Sequence, residues 1–212
     1  RSLGLPRMHL NALALRADGQ VLATAAENAL LALWDVTTGR ELRALTGHAG
    51  AVTAAAFSPD GRLLASGGIG GSVKVWEAAT GKELHTHAAH KQAVRALAFA
   101  PDGHILASAG YDAAIHLWEV ETGRRLQTLS GHTGPVNSLA FRGDGQLLVS
   151  AGAEGTVRLW DPMPGKMKLL LPLGPSLGTI HDVAFSSDGR YLATANGNGT
   201  AFILRLAPPP EQ

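Results

Sequence analysis

His85, His87 and His90 fall within one short stretch, the densest group of metal-capable side chains in the sequence. On a strand, residues 85 and 87 share a face, and imidazole nitrogens are ordinary zinc ligands. Coordination, however, needs ligands that converge. His90 stands in a slot also filled by His48 and His132, and His87 aligns with the apolar Leu45 and Leu129. These histidines therefore read as positions in a repeating pattern, and the sequence assigns no metal ligand. A metal-binding role through His85, His87 and His90, or a small-molecule ligand in a central channel, stays open as an alternative. Gly67-Gly68-Ile69-Gly70-Gly71 opens no helix, so it lacks the helix N-terminus that cradles phosphate. It aligns with a turn before a strand and reads as a loose turn. Asn198-Gly199-Thr200 fits a glycosylation sequon, which has meaning only in an exported chain. His181-Asp182 begins a strand near several serines, but there is no G-x-S-x-G elbow or other catalytic signature. No residue is assigned a catalytic role, and no cofactor is expected.

The elements that carry these residues recur with one period. Asp-Gly pairs begin at Asp18, Asp60, Asp102, Asp144 and Asp188, spaced 42, 42, 42 and 44 residues apart. Trp34, Trp76, Trp118 and Trp160 keep the 42-residue step, and so do the turn glycines Gly39, Gly81, Gly123 and Gly165. The two extra residues lie between Gly165 and Asp188. Within a period the pattern is of short strands. Val94–Phe99 is apolar, and Pro101-Asp102-Gly103 turns the chain, with proline presetting φ and glycine accepting positive φ. Ile105–Ala109, Ile115–Trp118 and Arg125–Leu129 follow as three more strands. No segment holds a helical period over ten or more residues. A lone four-stranded sheet of this kind cannot bury its apolar faces, so neighbouring units must stack on it. A unit of about 40–45 residues with four strands is a propeller blade. The expected fold is all-β: five four-stranded antiparallel blades, as a partial ring or a five-bladed one.

Composition sets the outer limits. The chain has 212 residues, 45% hydrophobic and 17% charged, with a formal net charge of +1. That balance argues against nucleic acid or an acidic surface recognised by bulk charge. There are no cysteines, which excludes disulfides and thiolate metal sites and fits a cytoplasmic setting. No apolar stretch approaches the roughly 18 residues that span a bilayer, so no membrane partner is expected.

The repeated dipeptides resemble those of the WD-repeat family. Gly47-His48, Ala89-His90 and Gly131-His132 match its Gly-His pair. Trp34-Asp35 and Trp160-Asp161 match its Trp-Asp pair, with Trp76-Glu77 and Trp118-Glu119 close to it. The resemblance covers almost the whole chain. It divides residues 1–212 into one propeller segment with blades near 8–47, 48–89, 90–131, 132–173 and 174–207, followed by a proline-rich tail, 208–212. It also implies a structural relay in each blade that joins Trp, Ser or Thr, His and a turn Asp. His90, Ser108, Asp112 and Trp118 make a complete set. His132, Ser150 and Trp160 have Glu154 at the Asp position, and His48, Ser66 and Trp76 have Gly70 there. The first and fifth repeats have Pro6 and Ser176 in the His slot, and Leu204 replaces the fifth Trp.

Partner contacts in the family cluster on the narrower face. Carried over, they fall on His9, Asn11 and Glu27; Ala51, Thr53 and Ile69; Ala93, Arg95 and Tyr111; Pro135, Asn137 and Ala153; and Thr179, His181 and Gly197. Arg95 and Tyr111 are of the types that anchor interfaces. The resemblance implies a non-catalytic scaffold that holds other proteins or peptides, as a regulatory module of a larger signalling protein. Ser2–Leu5 aligns with the end of an outer strand, and Pro208-Pro209-Pro210 forbids a ladder strand. The chain thus reads as the C-terminal part of a longer propeller, with open end blades able to self-associate.

Overall fold

The computed structural model describes residues 9–173 and 178–206. Ser2–Leu5, Pro6, Ser176 and Pro208–Pro210, on which expectations were placed, lie outside these residues.

The described residues form nineteen strands and no helix. The first sheet holds β1 (Leu10–Leu15), β2 (Val21–Ala26), β3 (Leu31–Asp35) and β4 (Glu41–Leu45). The second holds β5 (Val52–Phe57), β6 (Leu63–Gly68), β7 (Ser72–Glu77) and β8 (Glu83–Ala88). The third holds β9 (Val94–Phe99), β10 (Ile105–Gly110), β11 (Ile115–Glu119) and β12 (Arg125–Leu129). The fourth holds β13 (Val136–Phe141), β14 (Leu148–Gly152), β15 (Thr156–Asp161) and β16 (Lys166–Pro172). The fifth holds β17 (Ile180–Phe185), β18 (Tyr191–Asn196) and β19 (Ala201–Arg205). Each sheet is an antiparallel meander in chain order, but the fifth has three strands where four were expected.

Local chemistry explains the hairpins. In every Asp-Gly turn the aspartate accepts the backbone N–H two residues on: Asp18 from Gln20, Asp60 from Arg62, Asp102 from His104, Asp144 from Gln146 and Asp188 from Arg190, at 2.9–3.0 Å. The following glycine takes a left-handed conformation, for example φ 76° at Gly103, which a Cβ would penalise.

The inner strands β1, β5, β9, β13 and β17 pack side by side in succession. Apolar clusters fill the space between neighbouring sheets rather than within one sheet. Ala23, Leu31 and Leu33 of the first sheet meet Val52, Leu64 and Trp76 of the second. Val149, Val157 and Leu159 of the fourth meet Ile180, Val183 and Leu192 of the fifth. The run Gly67-Gly68-Ile69-Gly70-Gly71 is set by this close packing. A Cβ on Gly67 would lie 2.5 Å from Val94 Cγ1 of the next sheet, and one on Gly71 would lie 2.1 Å from the His90 carbonyl oxygen. The turn is therefore tight, not loose.

Each inner strand also carries a β-bulge at the same place. Leu10 pairs with Ala26 and Ala12 with Ala25, so Asn11 has no rung. Thr53, Arg95, Asn137 and His181 are skipped in the same way. A bulge turns its side chain away from the regular alternation of the strand.

Candidate functional site

Two constellations recur in the sheets: a buried relay near the outer strands, and an end rim built on the bulges. The relay is complete in the third sheet. The Trp118 indole N–H donates to Ser108 Oγ at 2.9 Å, His90 Nε2 lies 2.9 Å from the same oxygen, and His90 Nδ1 lies 2.9 Å from Asp112 Oδ1. Asp112 also accepts the Lys91 N–H at 2.9 Å. Burial opposes the charge on Asp112, but the Lys91 N–H and His90 outweigh it and hold the carboxyl below its usual range. Each side chain of this relay has a hydrogen-bond partner, which buried polar groups require.

The other sheets vary the theme. In the fourth, Trp160 donates to Ser150 Oγ at 2.8 Å, His132 Nε2 lies 2.6 Å from it, and Glu154 takes the aspartate's place against His132 Nδ1. The longer side chain serves that contact but leaves Glu154 Oε2 buried with no partner among the described residues. Burial pushes the His132 imidazole below its usual pKa, and Glu154 only partly offsets this. In the second sheet, Trp76 donates to Ser66 Oγ at 2.8 Å and His48 Nε2 lies 2.7 Å from that oxygen. Gly70 cannot supply the fourth member, and Ser72 Oγ does so at 3.3 Å from His48 Nδ1. Burial, with the nearby Lys74 cation, lowers the His48 pKa to about 4. In the first sheet Trp34 donates to Thr24 Oγ1 at 2.9 Å. In the fifth, Leu204 removes the donor, and the buried Thr194 Oγ1 has no partner among the described residues.

The rim lies where the inner strands begin. One backbone hydrogen bond recurs five times there: Glu27 N–H to His9 O, Ile69 to Ala51, Tyr111 to Ala93, Ala153 to Pro135 and Gly197 to Thr179, at 2.7–3.2 Å. The first and third residues of every carried-over triplet are thus held side by side. The second, on the bulge, behaves differently from sheet to sheet. Asn11 Nδ2 donates to the Val52 carbonyl at 3.0 Å, Thr53 Oγ1 to that of Val94 at 2.6 Å, and Asn137 Nδ2 to that of Ile180 at 2.9 Å. These three residues latch one sheet to the next. Arg95 breaks the series. Its guanidinium lies 5.4 Å from the ring centroid of Tyr111, a cation–π contact at the rim. Tyr111 is 45% exposed and Ile69, in the adjoining sheet, 56%. His181 is exposed, while Asp182 accepts the Ser138 hydroxyl at 2.6 Å across the fourth and fifth sheets.

The family model described as "WD domain, G-beta repeat" matches residues 39–77, 81–119, 123–161 and 169–203. The chain belongs to the WD40 family. No curated protein matches it. Each WD40 match begins near an outer strand and ends in the third strand of the following sheet, so the family unit straddles two blades. The first WD40 sheet lies largely outside the matches, yet β1–β4 pair like the others. Proteins of the WD40 family generally bind other proteins and are typically non-catalytic.

The WD40 blades also relocate the histidines. His85, His87 and His90 do not converge. His85 and His87 stack with ring centroids 6.0 Å apart, and His87 stacks on Trp118 at 4.5 Å. His87 thus fills an apolar slot, and burial lowers its pKa. His90 instead approaches His116, whose ring centroid is 4.7 Å away. His116 was missed in the sequence, although a signal existed. Lys74, His116 and Arg158 recur every 42 residues at a buried strand position. Lys74 is neutralised by Glu83 at 2.8 Å, and Arg158 Nε lies 4.0 Å from Glu154. His116 Nδ1 lies 3.0 Å from Thr128 Oγ1.

Proposed function

We propose that this WD40 propeller is a non-catalytic protein-interaction module that engages a partner protein or peptide through the rim around Arg95 and Tyr111. The carrying observation is the contrast at the bulge. Asn11, Thr53 and Asn137 spend their polar atoms on the neighbouring sheet, whereas Arg95 stands over an exposed Tyr111. Arg and Tyr are enriched among residues that dominate binding energy, and Tyr orders at low entropic cost. The exposed Ile69 on the adjoining sheet supplies an apolar neighbour, and His9, Glu27 and His181 extend the same rim.

A guanidinium beside a phenol favours a partner segment that brings a carboxylate and an apolar side chain. The lack of cysteine is compatible with a reducing, cytoplasmic setting, and analogy with other WD40 proteins makes the module the recognition part of a larger signalling protein. The test is capture of partners by the wild-type chain and by Arg95→Ala and Tyr111→Ala. Each substitution should lower affinity by about 10-fold or more, as loss of a central anchor does. Unchanged capture of every partner by both variants overturns the assignment.

A further inference from the structure

His116 has no part in the relay, yet it lies buried against two relay members. A nitrogen of His90, a nitrogen of His116 and a carboxylate oxygen of Asp112 all fall within 4.8 Å of one another. We propose that His90, Asp112 and His116 bind one divalent transition-metal ion of the zinc class. This goes beyond the partner rim, which uses none of these residues.

Tetrahedral zinc holds nitrogen and oxygen ligands at about 2.0–2.2 Å, which places them about 3.3 Å from one another. His90 Nδ1 and Asp112 Oδ1 are already 2.9 Å apart, and closing the set from within 4.8 Å to that spacing takes side-chain adjustment of roughly 1.5 Å. The open side is a cleft of about 350 Å³ lined also by Lys91, Ala114 and Arg125, which gives an entry path and room for water in the fourth position.

The supporting contacts are of the kind that orient metal ligands. Ser108 Oγ lies against His90 Nε2 at 2.9 Å, Thr128 Oγ1 against His116 Nδ1 at 3.0 Å, and the Lys91 N–H donates to the second Asp112 oxygen at 2.9 Å. With the ion on Nδ1, the His90 ring proton lies on Nε2, where Ser108 Oγ at 2.9 Å accepts it.

The equivalents in other blades cannot do this. The second places Lys74 and Gly70 at these positions, and the fourth places Arg158 and Glu154, so each brings a cation where the third brings a ligand. The Lys91 and Arg125 charges at the cleft oppose a dication and set a moderate affinity.

The test is titration of the chelator-stripped full chain with Co²⁺, read by the visible bands of tetrahedral cobalt, together with Zn²⁺-dependent melting. One equivalent should bind per chain, and Zn²⁺ should raise Tm. His116→Gln leaves the Trp118–Ser108–His90–Asp112 relay in place, and Asp112→Asn keeps an acceptor for His90. Each should weaken cobalt binding by more than about 100-fold, beyond the range seen for orienting residues, while His85→Ala leaves it unchanged. Melting in chelator confirms that a variant is folded, and two substitutions keep the test decisive if one fails to fold. No saturable band, a band unchanged in the folded variants, or a band lost only with His85→Ala overturns the proposal.

Discussion

The third and fifth sheets follow one repeat pattern, yet they stand at opposite ends of what that repeat can achieve. The third is covered on both faces, and its Trp, Ser, His and Asp satisfy one another. Among the described residues the fifth has three strands, Leu204 where the Trp would be, and an orphaned Thr194 hydroxyl. Leu117 is fully buried, while Ile203 at the corresponding place in the fifth sheet is 75% exposed. At the other end of the array, Leu13 and Leu15 of β1 are 59% and 58% exposed, where the equivalent Leu139 and Phe99, respectively, are buried. The strand code is the same in all of these; the difference is whether a neighbouring sheet covers the face. In a repeat protein, stability belongs to the junctions as much as to the units.

Substitutions that treat the two sheets alike should therefore have unlike effects. The largest is expected at the tryptophan: Trp118→Ala should cost about 3–5 kcal/mol by urea denaturation. Leu204→Ala, half-buried and unbonded, should cost clearly less. Equal costs would show that the relay and the shared packing add nothing. Next comes the exposed pair. Leu117→Ala should lose about 2–5 kcal/mol, and Ile203→Ala should stay within about 0.5 kcal/mol. A large loss at Ile203 would mean that the open face is covered in solution.

Acid should sharpen the contrast further. The folded-state pKa values of His48 and His116 are depressed to about 4 from the usual 6.5. Between those values the unfolded chain binds more protons, so stability is full above about pH 6.5 and falls as pH drops towards 4. The loss should be seen in Tm against pH, and His116→Gln should flatten it; a flat wild-type profile would contradict the buried neutral state. The smallest effect is expected at the orphan. Thr194→Val should be neutral or stabilising by up to about 1 kcal/mol, whereas Ser108→Ala should lose about 1–3 kcal/mol by stranding its partners.

Much of this is legible in the sequence alone. The Asp-Gly and Trp markers locate hairpins and strands because each does a local job: an aspartate caps the turn, a glycine takes positive φ, and an indole needs an acceptor. The limits of β9 and β12 agree with those read from the residues. What stayed hidden depends on neighbours distant in sequence. Ser72 stands in for an aspartate at Gly70 because a hydroxyl two residues along reaches the same ring nitrogen. His90 parts from His85 and His87 because it lies beyond the end of β8, and its ring meets His116 of β11. The latches of Asn11, Thr53 and Asn137 were hidden because strand alternation cannot reveal a bulge, and only the paired register shows that these residues carry no rung.

The bulge has an evolutionary corollary. A side chain that supports no rung can be exchanged without disturbing the hairpin around it, and this chain shows three solutions at that one place: an amide or hydroxyl, a guanidinium and an imidazole. The propeller thus carries editable positions around its axle, where new recognition can be tried while the sheets that bear the load remain as they were.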